Sequence, residues 1–179
     1  MMEHVHAVTA AARAGQPARI VLKMNALTDE SLALALAAAG QAGAQVDLIV
    51  RGACIVPAER RGFSENVRVR SIVGRYLEHS RIFYFLAGDD ERMYLSSADW
   101  MGRNMFRRIE LAWPVQDAAQ RRRLIDETLT AYLHDAQGAW TMDASGRYTR
   151  VSEGRRKAGA SAQQALADRY PAQQEVAWT

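Results

Sequence analysis

The hydrophobic pattern divides the chain into short blocks whose period changes. Residues 3–12 are alanine-rich and read as a helix, with Gly15 and Pro17 behind it as the stop. Residues 19–23 form an apolar run of strand length. Thr28 or Asp29 can cap a following helix that carries Leu32, Leu34 and Leu36 and ends at Gly40 or Gly43. Residues 46–50 (VDLIV) are a second apolar strand. A strand–helix–strand unit of this size predicts two parallel strands joined by a right-handed crossover. A loop marked by Pro57, Gly62 and the Arg60-Arg61 pair follows over residues 53–65. Residues 67–73 alternate, with Arg68 and Arg70 on one side, and read as a further strand.

The densest stretch is residues 76–110, YLEHSRIFYFLAGDDERMYLSSADWMGRNMFRRIE. Its apolar runs at 82–86 and 93–95 read as strands, and so does 109–115. Runs this apolar are expected inside a sheet covered on both faces. Asp117 or Ala118 opens a helix to about residue 133, where Leu124, Ile125, Leu129 and Tyr132 have helical spacing. The Arg121-Arg122-Arg123 run on it is most simply a solvated face. Two short strands around a Ser145-Gly146 turn are expected in 140–151, a mobile linker in 152–160 and a last short helix in 161–170. The whole reads as α/β: a mixed, mostly parallel sheet with helices on both faces. Polar residues at its strand ends stand where an open α/β sheet usually places its ligand.

Bulk properties exclude more than they assign. The length of 179 residues suits one domain, and 49% hydrophobic residues suffice for a core. A net charge of +3 makes no case for nucleic acid. No apolar run approaches the ~20 residues that span a bilayer. Cys54 is the sole cysteine, so no disulfide framework exists, and a reducing cytoplasm is expected. Of the 23 basic residues only Lys23 and Lys157 are lysine, which leaves 21 arginines. Arginine forks onto phosphate or carboxylate, although a GC-rich genome explains the excess as well.

Several residues stand out as chemistry. Arg51-Gly52 follows the second strand at its carboxyl end, where glycine permits close approach of a ligand. Cys54 has no visible base partner and reads as packing. Asp89-Asp90-Glu91 reads as a solvated hairpin tip before it reads as a Mg²⁺ site. His79-Ser80-Arg81, a strand, then Ser96-Ser97 and Asn104 resemble the phospholipase D superfamily motif. There a histidine attacks phosphorus, a cation holds phosphate oxygens, and Ser and Asn orient the site. Arginine stands here in place of the usual lysine, the acidic residue expected further on is absent, and there is one such histidine motif where two are normal.

The segments PARIVLKMNALTD, VDLIVRGAC, SENVRVRSIVGRYLEHSRIFYF and YLSSADWMGRNMFRRIELAWPV resemble the C-terminal phospholipase D-like catalytic domain of bacterial polyphosphate kinase, the long-chain-synthesising type. The likeness runs over about residues 18–115, and more weakly to 151 and the SAQ segment at Ser161. It implies a phospholipase D-like fold over 18–151, a helix at 1–17 leading in from a preceding domain, and a linker with a short helix at 152–179. The start of the chain reads as that of an excised domain. The implied reaction is reversible transfer of the ATP γ-phosphate to polyphosphate through a phosphohistidine, with Mg²⁺ whose ligands lie outside this chain. The phosphate-accepting histidine would lie in the preceding domain. Carried over residue by residue, Arg51 in VRG binds nucleotide and His79 in EHSR is the second active-site histidine. Arg81, Ser97, Asp99, Asn104 and Arg108 are further phosphate-binding or supporting groups. Arg68, Arg70 and Arg103 could line a path for a polyanion. The implied partners are ATP or ADP, polyphosphate, the preceding domains and further copies of the full-length enzyme, and no nucleic acid. The implied location is the cytoplasm or the periphery of the inner membrane. A non-catalytic polyphosphate-binding module and a dimeric phosphodiesterase are the alternative readings.

Overall fold

A computed structural model of the chain describes residues 1–151 and 161–170. Eight strands form one sheet: β1 (Ala18–Met24), β2 (Gln45–Val50), β3 (Val67–Ile72), β4 (Ile82–Ala87), β5 (Asp90–Ser96), β6 (Ala112–Pro114), β7 (Ala139–Met142) and β8 (Tyr148–Arg150). Their order across the sheet is β6-β5-β4-β1-β2-β3-β7-β8. β1 pairs with β2 and β2 with β3 in parallel, while the five other neighbouring pairs are antiparallel. The sheet is therefore mixed as expected, but not mostly parallel. β1 and β2 are joined by a crossover helix, and β2 reaches its parallel partner β3 through residues 51–66 without one. The tight connections β4–β5 and β7–β8 are hairpins and pair antiparallel.

Helices cover both faces, because β1, β2 and β4 are apolar on both sides. On one face lie α1 (Met2–Arg13) and α2 (Glu30–Gln41). Val5, Val8, Leu32 and Leu36 pack there on Ile20, Leu22, Leu48 and Phe85. On the other lie α4 (Ala118–Leu124), a π-helical segment (Ile125–Thr130), α5 (Ala131–His134) and α6 (Ala162–Arg169). Leu129, Tyr132 and Ala162 pack there with Val21, Ile49 and Tyr84. Asp29 caps α2 by accepting from the Leu32 amide at 3.0 Å, and Asp117 caps α4 by accepting from Gln120 at 2.7 Å.

Three local features depart from the sequence reading. A short helix, α3 (Gly102–Arg107), follows β5. The run 109–115 is not a buried strand. Only Ala112–Pro114 pairs, and it does so as the outermost strand, with Ile109, Leu111 and Trp113 open to solvent. Pro114 suits an outer position because it has no N–H to donate. The arginine run on α4 is only partly solvated. Arg121 reaches Glu91 at 3.3 Å and the Gln116 carbonyl at 2.8 Å, while Arg122 and Arg123 form exposed pairs one turn along. The linker expected at 152–160 lies outside the described residues.

Candidate functional site

Register brings the chemistry to one edge. The carboxyl ends of β1 and β2 point the same way, since Met24 pairs with Val50. β4 runs antiparallel to β1 with Lys23 opposite Ile82, so its amino end, and the 76–81 segment before it, reach that edge too. β5 returns from β4 with Leu95 opposite Ile82, which delivers Ser96 to Asp99 to the same place. The loops there are laced together by backbone bonds. Leu27 N donates to Ala53 O at 2.9 Å, Thr28 N to Trp100 O at 2.8 Å, and Trp100 N to Ala26 O at 3.1 Å.

Two ion pairs organise this edge. The first is Arg81 with Asp99, bidentate at 3.1 and 2.9 Å. Asp99 Oδ1 also accepts the Asn25 amide at 2.7 Å and the Ala26 amide at 3.3 Å. Burial would raise the Asp99 carboxyl, but the Arg81 fork and these two amides outweigh it and lower its pKa. The second is Lys23 with Glu78 at 2.7 Å. Lys23 is only 5% exposed, donates also to Ser80 Oγ at 2.7 Å, and lies 4.7 Å over the Tyr132 ring. Glu78 accepts from Tyr132 Oη at 2.6 Å and from Gln163 Nε2 at 2.5 Å. Burial pushes Glu78 up. Hydrogen bonds from Lys23, Tyr132 and Gln163, with the Lys23 charge, hold it below the ordinary glutamate range, while burial and the facing Glu78 push the Tyr132 phenol up.

The residues expected at the site fall into three groups. Arg51 follows β2 and lines a small cleft of about 20 Å³ with Lys23, Asn25, Glu78, Ser80 and Tyr132. Its guanidinium has no hydrogen bond or ion pair among the described residues. His79 stands exposed between Glu78 and Ser80, its ring likewise without a hydrogen-bond partner among the described residues. Arg81 is held by Asp99. Asn104 is buried against the same cluster, donating to the Asp99 carbonyl at 3.1 Å, and its Oδ1 has no partner among the described residues. Ser97 and Arg108 lie further along. Ser97 bonds Glu110 and accepts the Leu111 amide at 2.9 Å, and Arg108 shares a shallow cavity with Asn104 and Glu110.

Of the three arginines considered for a polyanion path, Arg103 stands exposed on α3, while Arg68 and Arg70 are engaged elsewhere. Arg70 donates to the Tyr132 and Asp135 carbonyls at 3.0 and 2.9 Å. Arg68 pairs with Asp47 at 2.9 Å in a larger cavity, about 630 Å³, beside the amino ends of the parallel strands. There Asp47 offsets both Arg19 and Arg68, so size does not mark the chemical site. Cys54 packs against the core, and burial pushes its thiol up to about 11, as a packing residue requires. Asp89 and Asp90 sit at the β4–β5 turn as expected. No helix among the described residues is long and apolar enough to cross a membrane.

Comparison with known proteins identifies the family and the fold. The family described as polyphosphate kinase C-terminal domain 2 matches residues 1–163. The chain belongs to the polyphosphate kinase C-terminal domain family. A polyphosphate kinase of Paraburkholderia phytofirmans is 49% identical over 170 residues, covering 95% of this chain and 24% of the relative. One of Burkholderia vietnamiensis is 56% identical over 144 residues, covering 80% of this chain and 21% of the relative. The crystal structure of polyphosphate kinase from Porphyromonas gingivalis superposes with a TM-score of 0.86 at 36% identity, over 93% of this chain and 25% of that one. The chain thus spans about a quarter of the length of these relatives.

Within this polyphosphate kinase domain, sequence reasoning missed Lys23, Glu78, Tyr132 and Gln163. One signal was present for Lys23, a charge next to last in an apolar strand, and a lysine in a chain that has only one other. The two carboxylates predict an acid limb. A lowered folded pKa means that stability is present above the ordinary values, 4.5 for Glu78 and 3.8 for Asp99, and is lost as pH falls through the folded values. Urea midpoints measured from pH 6 downward should decline below about pH 5. Glu78→Gln should flatten the decline, and an unchanged slope in that variant would remove Glu78 from the account.

Proposed function

We propose that this domain supplies the nucleotide- and phosphate-binding side of a polyphosphate kinase active site, in which the ATP γ-phosphate moves reversibly to polyphosphate by way of a phosphohistidine borne on a preceding domain. One observation carries the reading: an unpaired guanidinium, Arg51, faces the cleft formed with the residues on either side of exposed His79. Phosphoryl transfer asks the protein mainly for position and neutralised charge. The nearby charges Lys23–Glu78 and Arg81–Asp99 are already matched. Arg51 therefore brings uncompensated positive charge, and its fork can take two phosphate oxygens. His79 can give a proton to, or take one from, the leaving oxygen. Arg81 and Asn104 act through Asp99, fixing the loop ends around the site. Ser97 and Arg108 are assigned to phosphate only by the family resemblance, since Ser97 is tied to Glu110 and Arg108 lines a separate shallow cavity.

Mg²⁺ accompanies the nucleotide in this reading, but the residues here do not fit it. Glu78 and Asp99 are saturated by cations and amides, and no group of three His, Cys, Asp or Glu among the described residues could hold a metal ion. Among the described residues none is assigned to it, and no step is drawn through it. Arg81, tied to Asp99, also weighs against a phospholipase D-type phosphodiesterase, which needs that cation for phosphate.

Titration decides the proposal. Arg51→Ala should weaken ADP or polyphosphate binding about ten- to a hundredfold, the value of a charge-assisted bond. Arg122→Ala, an exposed residue paired with Asp126, should change little. Higher salt should weaken the wild type several-fold. Equal losses in both variants would mean diffuse surface charge and no site. Labelled ATP should leave no stable phosphohistidine on this chain. Label lost on His79→Ala would show that His79 itself accepts phosphate.

A further inference from the structure

We propose that Gln163, on α6, is a positioning residue for His79, and that α6 belongs to the working edge although its sequence lies 84 residues beyond that histidine. The proposal rests on the reading of His79 given above. Gln163 is 6% exposed, and its amide is spent entirely on the segment that carries His79. Oε1 accepts the Tyr76 amide at 2.9 Å. Nε2 donates to the Tyr76 carbonyl at 2.8 Å and to the Glu78 carboxylate at 2.5 Å. One side chain thus clamps both backbone groups of Tyr76 and the side chain immediately before His79.

The surrounding construction supports a role in placement. Between β3 and β4 the described structure assigns no helix or strand, so residues 73–81 depend on such contacts for their course. Apart from Gln163, Glu78 is held by Lys23 and Tyr132, which come from the sheet and from α5. Gly74 leaves room for the clamp. A Cβ there would collide with Gln163 Oε1. The helix itself is seated independently, because Asp135 Oδ2 accepts the Ala162 amide at 2.8 Å and Ser161 Oγ caps it at 3.2 Å. A helix anchored at its first turn, with its second residue reaching into a loop beside an exposed histidine, transmits that anchoring to the histidine.

The test uses the ring resonances of His79, with His4, His6 and His134 as internal references, and ADP titration. Gln163→Met keeps length and bulk and removes the three bonds. Gly74→Ala attacks the same contact from the loop side and leaves α6 intact. Both should shift the His79 resonances, leave the other histidines in place, and weaken ADP binding about tenfold, the scale of one hydrogen bond to a charged group. Leu166→Ala loosens the packing of α6 without touching the loop, and should lower the thermal midpoint while His79 stays put. The proposal falls if Gln163→Met and Gly74→Ala leave His79 unmoved, or if Leu166→Ala moves it as far as they do. A wild type that binds no ADP would overturn the nucleotide reading instead, and the resonances would still decide the clamp.

Discussion

Asp99→Ala should cost about 3–5 kcal/mol of stability, the range for removing one partner of a buried ion pair. The Arg81 and Asp99 side chains are 14% and 10% exposed, which places them outside the class of surface pairs worth little. The variant leaves the Arg81 fork without a carboxylate and frees the Asn25 and Ala26 amides, which turn the chain out of β1. Three elements then lose their common tie: the end of β1, the start of β4 and the end of β5. The double variant Arg81→Met/Asp99→Ala should recover part of the loss, because no charge is left buried. Urea unfolding at pH 7 measures all three proteins. A loss under about 1 kcal/mol for Asp99→Ala would class the pair with solvated ones.

The parts of the fold that were legible are those where local pattern and final environment agree. The β1–α2–β2 unit was read from two apolar runs and a cap at Thr28 or Asp29, and the cap is the Asp29 side chain. Gly43 sits at φ +103, a backbone region that only glycine enters freely, so the stop after α2 was also written locally. The strand run proposed for 109–115 failed because apolar content says that a segment can be buried, not that a neighbour exists to bury it. At the sheet margin nothing covers Ile109. The π segment gave no signal, since its wider hydrogen-bond spacing differs too little from helical spacing over six residues. Sheet direction was misjudged for a related reason. Strand pattern shows alternation but not orientation, and the helical segment between β1 and β2 was the one sequence sign of parallel pairing.

Among the site candidates, Arg51 was visible because a polar residue directly after an apolar strand marks a strand end, whereas His79 stood out only through the motif it forms with Arg81, Ser96, Ser97 and Asn104. Their supports were not visible. The bonds that Glu78 makes to Lys23, Tyr132 and Gln163 span 55, 54 and 85 residues. No spacing rule links such positions. Each residue has an ordinary local excuse, as a strand cation, a helix aromatic or an exposed-looking amide. What joins them is the covering of one sheet face by two helices from the far end of the chain, which only the assembled sheet determines.

Lys23→Met is the sharpest test of that joined structure. The ammonium is almost wholly enclosed, with its side chain 7% exposed, and Glu78, at 21%, is its counter-charge. Methionine keeps the stem packed over Tyr132 but leaves the carboxylate facing a phenol and an amide, with no cation. At pH 7 the loss should approach the lower end of ~3–5 kcal/mol, since Glu78 retains some contact with water. The loss should shrink with acidification. Without Lys23 the Glu78 pKa rises, because burial then acts with less opposition, so the variant sheds its penalty by taking up a proton at a pH where the wild type still holds the ion pair. Lys23→Met/Glu78→Gln should be nearly as stable as the wild type across that window, since a neutral amide satisfies Tyr132 and Gln163 without a buried charge. Chemical denaturation from pH 8 to 5 follows the three proteins. A loss in Lys23→Met that does not change with pH, or a double variant no better than the single one, would show that Lys23 matters as packing and that the Lys23–Glu78 charge pair does not hold the His79 segment to the sheet.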